Sequence, residues 1–360
     1  MELGRLPRPA FSFSMSSIHI PVLLEPILHE WLGGLNPQSP ERNPLVIVDG
    51  TFGGGGHTLE IAKRLRARDW IIGIDRDPQA IADFITSHPE LEPCGSASEP
   101  SGWAPEPSGW GSHWLLLPSG CRLLLVCGSY CNLPGLLESL AIPSVHGILL
   151  DLGLSSDQLA DEHRGFSFRV DAPLDLRFDM TVGIPASKWL QRHTEVEIAD
   201  AIYQFGEERF SRRIARAIIE QNRSSPIETS KQLADLIHRV VPGRVHGRID
   251  SATRTFQALR IVVNRELEHV QAALERLPGT LSIPTISTPS IGQDEPSGQP
   301  AGLLAVISFH SLEDRLVKNA MRDDPQLKAL TKKPIVASDA QISANPRSRS
   351  AKLRIAQRQD

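Results

Sequence analysis

The sequence predicts an α/β fold: a Rossmann-like, mostly parallel sheet into which an all-helical domain is inserted. Three observations lead to this prediction. From Pro44 onward, short apolar runs alternate with helical stretches, which is typical of parallel strands joined by crossover helices. From Ser187 to about Glu268, apolar residues recur at helical spacing instead. The apolar run 302–311 then resumes the strand pattern, so we expect the sheet to be completed late in the chain.

The first half of the sheet is predicted from four apolar runs, which are NPLVIVDG (43–50), WIIGID (70–75), CRLLLVCGSY (121–130) and HGILLDLG (146–153). Helices are predicted between them at 57–68 and 77–87. Asp77 is a natural N-cap for the second helix, since Pro78 follows at the first helical position.

The helical domain is predicted from one long amphipathic stretch, in which Ile198, Ile202, Phe205, Ile214 and Ile218 share a helical face. Two low-complexity segments interrupt the sheet pattern. Residues 93–120 contain the tandem repeat EPSGWAP and EPSGWGS, and we interpret them as an exposed insertion without a core. Residues 284–300 are rich in Pro, Ser and Thr and are predicted to be a flexible loop.

These patterns divide the chain into four parts: an N-terminal extension (1–17), a first part of the sheet domain (18–155), a helical insert (156–268) and the completion of the sheet domain with a basic C-terminal tail (269–360). Residues 1–17 have no apolar core of a secretory signal. We interpret them as an extension that precedes an ancestral translation start at Met15, and a short transit peptide is the alternative.

The composition excludes several classes of protein. The 360 residues carry a net charge of −4, so a nucleic-acid surface has to be a local basic patch. No apolar run reaches the roughly 18 residues that a membrane helix needs. The four cysteines form no C-x-x-C pair, which fits neither a zinc ribbon nor a disulfide framework, and we expect a reduced cytoplasmic protein. The sequence predicts no oligomeric state.

The four glycines at 53–56 lie between the first strand and the first helix, where backbone amides can bind a ligand. A P-loop needs a lysine after its last glycine, and His57 stands there instead. The dinucleotide fingerprint G-x-G-x-x-G fails in every register. A nucleoside without a pyrophosphate remains, and S-adenosylmethionine is the common one.

Asp75 is the predicted ribose ligand, because it ends the second strand twenty residues after Gly55. Its alternative role is to cap the next helix, for which Asp77 is better placed. For His57 the residues alone leave two roles open: a packed residue at the start of a helix, or a cofactor contact.

Ten segments, in order, carry a resemblance to a known family. They include HIPVLLEPIL (19–28), DGTFGGGGH (49–57), GIDRDPQAI (73–81), GILLDLGLSSDQL (147–159), APLDLRFDM (172–180), ATRTFQALRI (252–261), ISFHSLEDRLVK (307–318) and NPRSRSAKLR (345–354). The chain resembles the bacterial small-subunit (16S) ribosomal RNA cytosine-N4 methyltransferase family from about residue 18 to 358, apart from the two low-complexity segments.

The resemblance implies a class I methyltransferase sheet, S-adenosyl-L-methionine as cofactor, and methylation of a cytidine N4 in the decoding region of 16S ribosomal RNA. The family's cofactor contacts fall on Gly55, Gly56, His57, Asp75, Tyr130, Asp151 and Gln158. This chain departs from the family pattern at Tyr130, where another aromatic residue is usual, and at Asp250-Ser251, which replaces a His-Pro pair.

Asp151 is the candidate catalytic residue, since it ends the fourth strand at the edge where such sheets bind ligands. Orientation of the following loop is its alternative role. The acids at 171, 175 and 179 recur every four residues, a spacing that suggests a metal site. Pro173 interrupts them, however, so we predict a structural loop and no metal. Ser308, His310 and Asp314 lack a G-x-S-x-G elbow, which argues against a serine hydrolase.

RNA binding is predicted at two basic clusters. The helical insert carries Arg209, Arg212, Arg213 and Arg216, and the tail carries the better phosphate ligands, Arg347, Arg349, Lys352 and Arg354.

Two other functions stay open. A DNA amino-methyltransferase would need a D/N/S-P-P-Y/F motif where this chain has DLGLSS, and a non-catalytic ribosome-assembly factor would be separated from an enzyme by cofactor binding.

Overall fold

The computed structural model describes residues 21–39, 42–94, 112–154, 163–241, 250–284 and 300–360. The predicted extension 1–17, the tryptophans Trp103 and Trp110, the cofactor candidate Gln158 and the loop residues 285–299 lie outside these ranges. Within the ranges, no helix is long and apolar enough to cross a bilayer.

A ten-stranded sheet forms the centre of the part that the structure describes, which confirms the predicted α/β fold. Its strands are β1 (Val46–Asp49), β2 (Trp70–Asp75), β3 (Glu92–Pro93), β4 (Ser112–Leu116), β5 (Arg122–Cys127), β6 (Gly147–Asp151), β7 (Leu303–Ser308), β8 (Leu327–Ala329), β9 (Ile335–Val336) and β10 (Lys352–Arg358). They lie in the order β3-β4-β5-β2-β1-β6-β7-β10-β8, and β9 pairs with β10. The five central strands, from β5 to β7, are parallel.

Helices cover both faces of the sheet, which explains why the central strands are apolar throughout. One face packs against α1 (Gly56–Ala62), α2 (Pro78–Ser87) and an N-terminal helical segment of three pieces, Leu24–Pro26, Ile27–Leu32 and Gly33–Leu35. The buried Trp31 fixes this segment by donating its indole N–H to the carbonyl of Leu303 at 3.1 Å. The other face packs against α3 (Leu133–Ser139), α9 (Glu266–Arg276) and α10 (Ser311–Asp323).

The helical insert has an apolar core of its own. Its helices are α4 (Ala186–Arg192), α5 (Glu195–Gly206), α6 (Ser211–Ser224), α7 (Ser230–Val240) and α8 (Ser251–Asn264). A last helix, α11 (Asp339–Ala344), lies outside the insert, shortly before β10. Capping boxes at Thr194 and Thr229 begin α5 and α7. The boundary that we drew at residue 268 falls inside α9, whose Val270 and Leu274 pack with the sheet rather than with the insert.

The interpretation of residues 93–120 as a coreless insertion is wrong for residues 112–120. Strand β4 pairs antiparallel with β5, and Leu115 and Leu117 are buried in the sheet core. Trp114 packs edge-on against Trp70 with ring centroids 5.1 Å apart. The strand was missed because only five of its residues pair with β5, and they follow a low-complexity repeat.

Candidate functional site

A cavity of about 700 Å³ opens at the carboxyl ends of β1, β2 and β6. This is where the strand order reverses, since β1 lies between β2 on one side and β6 on the other. Ligands of doubly wound sheets bind at such a switch point. Each of the three strands ends in an aspartate, Asp49, Asp75 and Asp151, and the last two line the cavity. Its size suits a small organic ligand.

The glycine loop brings bare backbone to the cavity wall. Gly53, Gly54 and Gly56 line it. Gly55 lies behind them with φ of 73°, and a Cβ atom there would come within 2.6 Å of the Phe84 ring. Only glycine fits such a position, so Gly55 shapes the turn and its neighbours meet the cavity.

The Asp75 carboxylate accepts backbone N–H groups from both sides. One oxygen lies 2.7 Å from the Gly53 nitrogen and the other 2.8 Å from the Asp77 nitrogen. Burial raises the pKa of Asp75 to about 6. Asp77 is the N-cap of α2, as predicted, and accepts from Gln79 at 3.0 Å. Asp75 therefore faces the cavity as an oriented acceptor.

His57 and Asp151 lie together at the base of the cavity. The His57 Nε2 atom is 2.9 Å from the carbonyl oxygen of Val22, and its Nδ1 is 3.8 Å from Oδ2 of Asp151. The Asp151 backbone N–H donates to the Thr51 hydroxyl at 2.6 Å. Burial raises the pKa of Asp151, and a positive charge on His57 would oppose that rise. The structure brings both candidates into one group.

Aromatic rings line the cavity beside these polar groups. Tyr130 is buried at the start of a 3-10 helix, and burial raises its pKa, so its hydroxyl stays protonated. Phe178 and Phe309 also line the cavity. They lie in two segments that carry the family resemblance, 172–180 and 307–318, but no role was predicted for them, because a phenylalanine in an apolar segment gives no signal of which cavity it will face.

Glu266, Glu313 and Arg347 line the cavity as well. No pattern in the sequence had indicated the two glutamates. Glu266 accepts two hydrogen bonds from Arg260, at 2.8 and 2.9 Å. Glu266, His310 and Glu313 place potential ligand atoms within 4.8 Å of one another. The Arg260 guanidinium already neutralises Glu266, so we assign no metal to this group.

The basic tail is distributed differently from the prediction. Arg347 lines the cavity, and Arg349 is exposed. Arg354 is buried in β10, where its Nε donates to Asp314 at 2.7 Å, and Lys352 pairs with the same carboxylate at 3.3 Å. The prediction of Arg354 as a phosphate ligand is therefore wrong, since a guanidinium enclosed by the sheet has no path to a phosphate.

The acids of the 171–179 loop make local bonds. Asp175 pairs with Arg177 at 2.7 Å, and Asp179 accepts from the backbone and hydroxyl of Thr181. Gly165, earlier in the same region, has φ of 68° and lies against the Pro173 carbonyl. These contacts fit the structural loop that we expected.

Comparison with known proteins gives consistent matches along the chain. The model of the MraW methylase family matches residues 16–90 and 112–359. A ribosomal RNA small subunit methyltransferase H of Rhodopirellula baltica is 44% identical over 331 residues, covering 88% of this chain and 87% of that protein. The protein of the same name from Sorangium cellulosum is 41% identical, with 91% and 88% covered. A solved rRNA methylase from Streptococcus thermophilus covers 93% of this chain and 95% of its own at 9% identity and a TM-score of 0.38, which is too low to support an inference.

Proposed function

The chain belongs to the MraW methylase family, and on this premise we propose that it methylates the exocyclic N4 of a cytidine in the decoding region of 16S ribosomal RNA, with S-adenosylmethionine as methyl donor. The names of its relatives support a ribosomal RNA substrate in the small subunit. Such a reaction belongs in the cytoplasm, where ribosomal subunits are assembled.

The observation that carries the proposal is the cavity at the switch point, with a glycine backbone on one side and the carboxylates of Asp75 and Asp151 on the other. These residues fit the donor. Asp75 offers acceptors to ribose hydroxyls, and Tyr130 provides an apolar ring surface for adenine. The backbone of Gly53, Gly54 and Gly56 allows close approach. Bound there, S-adenosylmethionine would supply an activated methyl group.

The task left to the protein is to align the acceptor nitrogen and to receive its proton. The cytosine amino group is a weak nucleophile because its lone pair is delocalised into the ring. Asp151 ends β6 at the cavity and faces it with a side chain that is 21% exposed. A carboxylate that accepts an N–H of the amino group increases electron density on the nitrogen as the new bond forms.

The RNA has to reach this cavity with its target base unstacked. Helix α6 and the turn before it present Arg209, Arg212, Arg213 and Arg216 to solvent, and Arg349 is exposed near the cavity residue Arg347. We propose that these side chains bind phosphates and that the helical insert recognises the RNA.

Incubation with labelled S-adenosylmethionine and undermethylated small subunits, followed by nucleoside analysis, tests the proposal. We expect N4-methylcytidine, and an Asp151→Asn protein that binds the cofactor but transfers methyl groups at least about 100-fold more slowly. Methyladenosine, or label in DNA, would contradict the assigned substrate. RNA binding without any transfer would identify an assembly factor instead.

A further inference from the structure

The hydrogen bonds of His57 determine where its protons lie. The Val22 carbonyl oxygen, 2.9 Å from Nε2, is only an acceptor, so Nε2 carries a hydrogen and donates it. In a neutral ring, Nδ1 then has a lone pair, and that lone pair faces Oδ2 of Asp151 at 3.8 Å. With Asp151 ionised, two acceptors would face each other in a site where His57 is only 8% exposed.

Uptake of one proton by the pair would remove this conflict. Burial raises the pKa of the neighbouring carboxylate, Asp49, but a charge on His57, the Thr58 hydroxyl at 2.8 Å and the Thr51 N–H at 3.3 Å all favour its ionised form. The other charges that act on Asp151 are Arg347, which favours its ionised form, and Glu313, which opposes it. His57 and Asp151 are therefore the two groups that are placed to take up one proton together.

We propose that His57, acting through Asp151, takes up the proton that the amino nitrogen releases during methyl transfer. This inference rests on the proposed function. In the step, a C–N bond forms while the sulfonium C–S bond breaks, leaving a neutral thioether. The methylated nitrogen passes one N–H proton to the Asp151 carboxylate, and Asp151 passes a proton to His57 Nδ1. Asp151 is the catalytic residue, and His57 is a positioning residue that keeps Asp151 able to accept.

The geometry permits such a transfer after a small movement. The 3.8 Å between Nδ1 and Oδ2 exceeds a hydrogen bond by about 1 Å, and catalytic hydrogen bonds often tighten only when substrate is bound. His57 lies in the first turn of α1, directly after the glycine loop that we assign to the cofactor. Cofactor binding therefore acts on the element that carries the ring.

The first test needs neither cofactor nor RNA. Nitrogen-15 NMR of the histidine rings in the full-length protein should show His57 with a hydrogen on Nε2. Asp151→Asn should lower the fraction of His57 rings that also carry a hydrogen on Nδ1, because the anionic partner of the ring is lost. Glu60→Gln is the control: it removes a carboxylate of α1 that pairs with Lys63 at 2.6 Å instead of facing His57, and it should leave His57 unchanged. A hydrogen on Nδ1 alone, or no response to Asp151→Asn, would overturn the proposal.

The second test uses His57→Gln, whose side-chain amide can still donate to Val22 but cannot take up a proton. With saturating cofactor we expect a single-turnover rate lower by about 100-fold and a plateau of the rate that is reached at lower pH than in the wild type. The shift to lower pH follows because only Asp151 then has to be free of a proton, whereas in the wild type the whole pair has to be free of it. A wild-type rate and pH dependence, or a loss confined to cofactor affinity, would refute the relay. A product other than N4-methylcytidine would count against the proposed function, while the NMR result would still stand.

Discussion

At the scale of single residues, the site depends on carboxylates held at the ends of strands. The sequence predicted Asp75, Asp77 and Asp151 correctly in position, because the end of a parallel strand can be read from where its apolar run stops. It did not separate Arg349, which is exposed, from Arg354, which is buried. Both lie in a basic tail, and only the pairing of β10 with β7 decides which of them faces solvent.

Cofactor affinity should depend on the ionisation of Asp75, whose pKa burial raises to about 6. The ionised form accepts hydrogen bonds from ribose hydroxyls, so binding favours it and lowers the pKa in the complex. Affinity should therefore fall as the pH drops through about 6, and binding near that pH should release a proton. Calorimetry in buffers of different ionisation enthalpy measures both effects.

Asp75→Asn provides the comparison. We expect it to weaken cofactor binding by about 10-fold or more at neutral pH, because a charge-assisted hydrogen bond is lost. The affinity of the variant should also depend less on pH than that of the wild type. If the variant keeps the slope of the wild type, another group is responsible for it.

Arg349 and Arg354 should have opposite roles despite their closeness in the chain. Arg354→Ala leaves Asp314 partly buried without its guanidinium, so we expect a loss of stability of about 1–3 kcal/mol. Arg349→Ala should leave stability unchanged and should weaken RNA binding, with a smaller dependence of affinity on salt. Denaturant unfolding and RNA titration at several salt concentrations measure the two roles. An Arg349→Ala protein with wild-type RNA affinity would show that the tail makes no phosphate contact.

At the scale of elements, the strands that the sequence predicted are those with long apolar runs, β1, β2, β5, β6 and β7. Two of the strands it did not predict have different causes. Strand β4 pairs with the neighbouring β5, but its five residues are too few to give a pattern. Strand β10 lies antiparallel between β7 and β8, and nothing local to the sequence LRIAQ specifies these neighbours. Local pattern thus predicts the parallel centre but misses short strands and those that depend on a distant partner.

Strand β4 offers a direct test of its place in the sheet. Leu115 is 4% exposed, whereas the next residue, Leu116, is 38% exposed on the opposite face. Leu115→Ala should cost about 2–4 kcal/mol of unfolding free energy, and Leu116→Ala less than about 1 kcal/mol. Chemical denaturation compares the two. Equal effects would mean that Leu115 does not pack into the sheet core.

Deletion of residues 96–111, which leaves β4 intact, should leave the melting temperature nearly unaltered.

At the scale of the whole molecule, one buried ion pair joins the region after β6 to the ligand-binding turn. Arg164 donates to both oxygens of Asp77, at 2.5 and 3.3 Å, and to the carbonyl of Phe178. Asp77 is also a backbone donor to Asp75. A change in the loop that carries Arg164 therefore reaches Asp75, the proposed ribose ligand, through two contacts.

Arg164→Met should lower stability by about 3 kcal/mol or more and should also weaken cofactor binding, since Asp77 loses the partner that holds the turn. Arg177→Met is the matched control. It removes a mostly buried partner of Asp175, but that pair is local to its own loop. Calorimetry and unfolding of both variants should show reduced stability in each and reduced affinity only in Arg164→Met. Equal losses of affinity would rule out a specific connection through Asp77.

The adjacent strands β6 and β7 pair Gly147 with Leu303, although roughly 150 residues separate them in the chain. Closing such a loop is slow while it remains unfolded, because its entropy has to be lost before any contact forms. A helical insert that folds early on its own core brings the two ends together and shortens the search. Ile218, buried in that core and far from the strands, should then affect the folding speed of the sheet. In stopped-flow refolding we expect Ile218→Ala to delay the protection of β6 and β7 amides, so the insert would act as an internal guide for assembly as well as a surface for RNA.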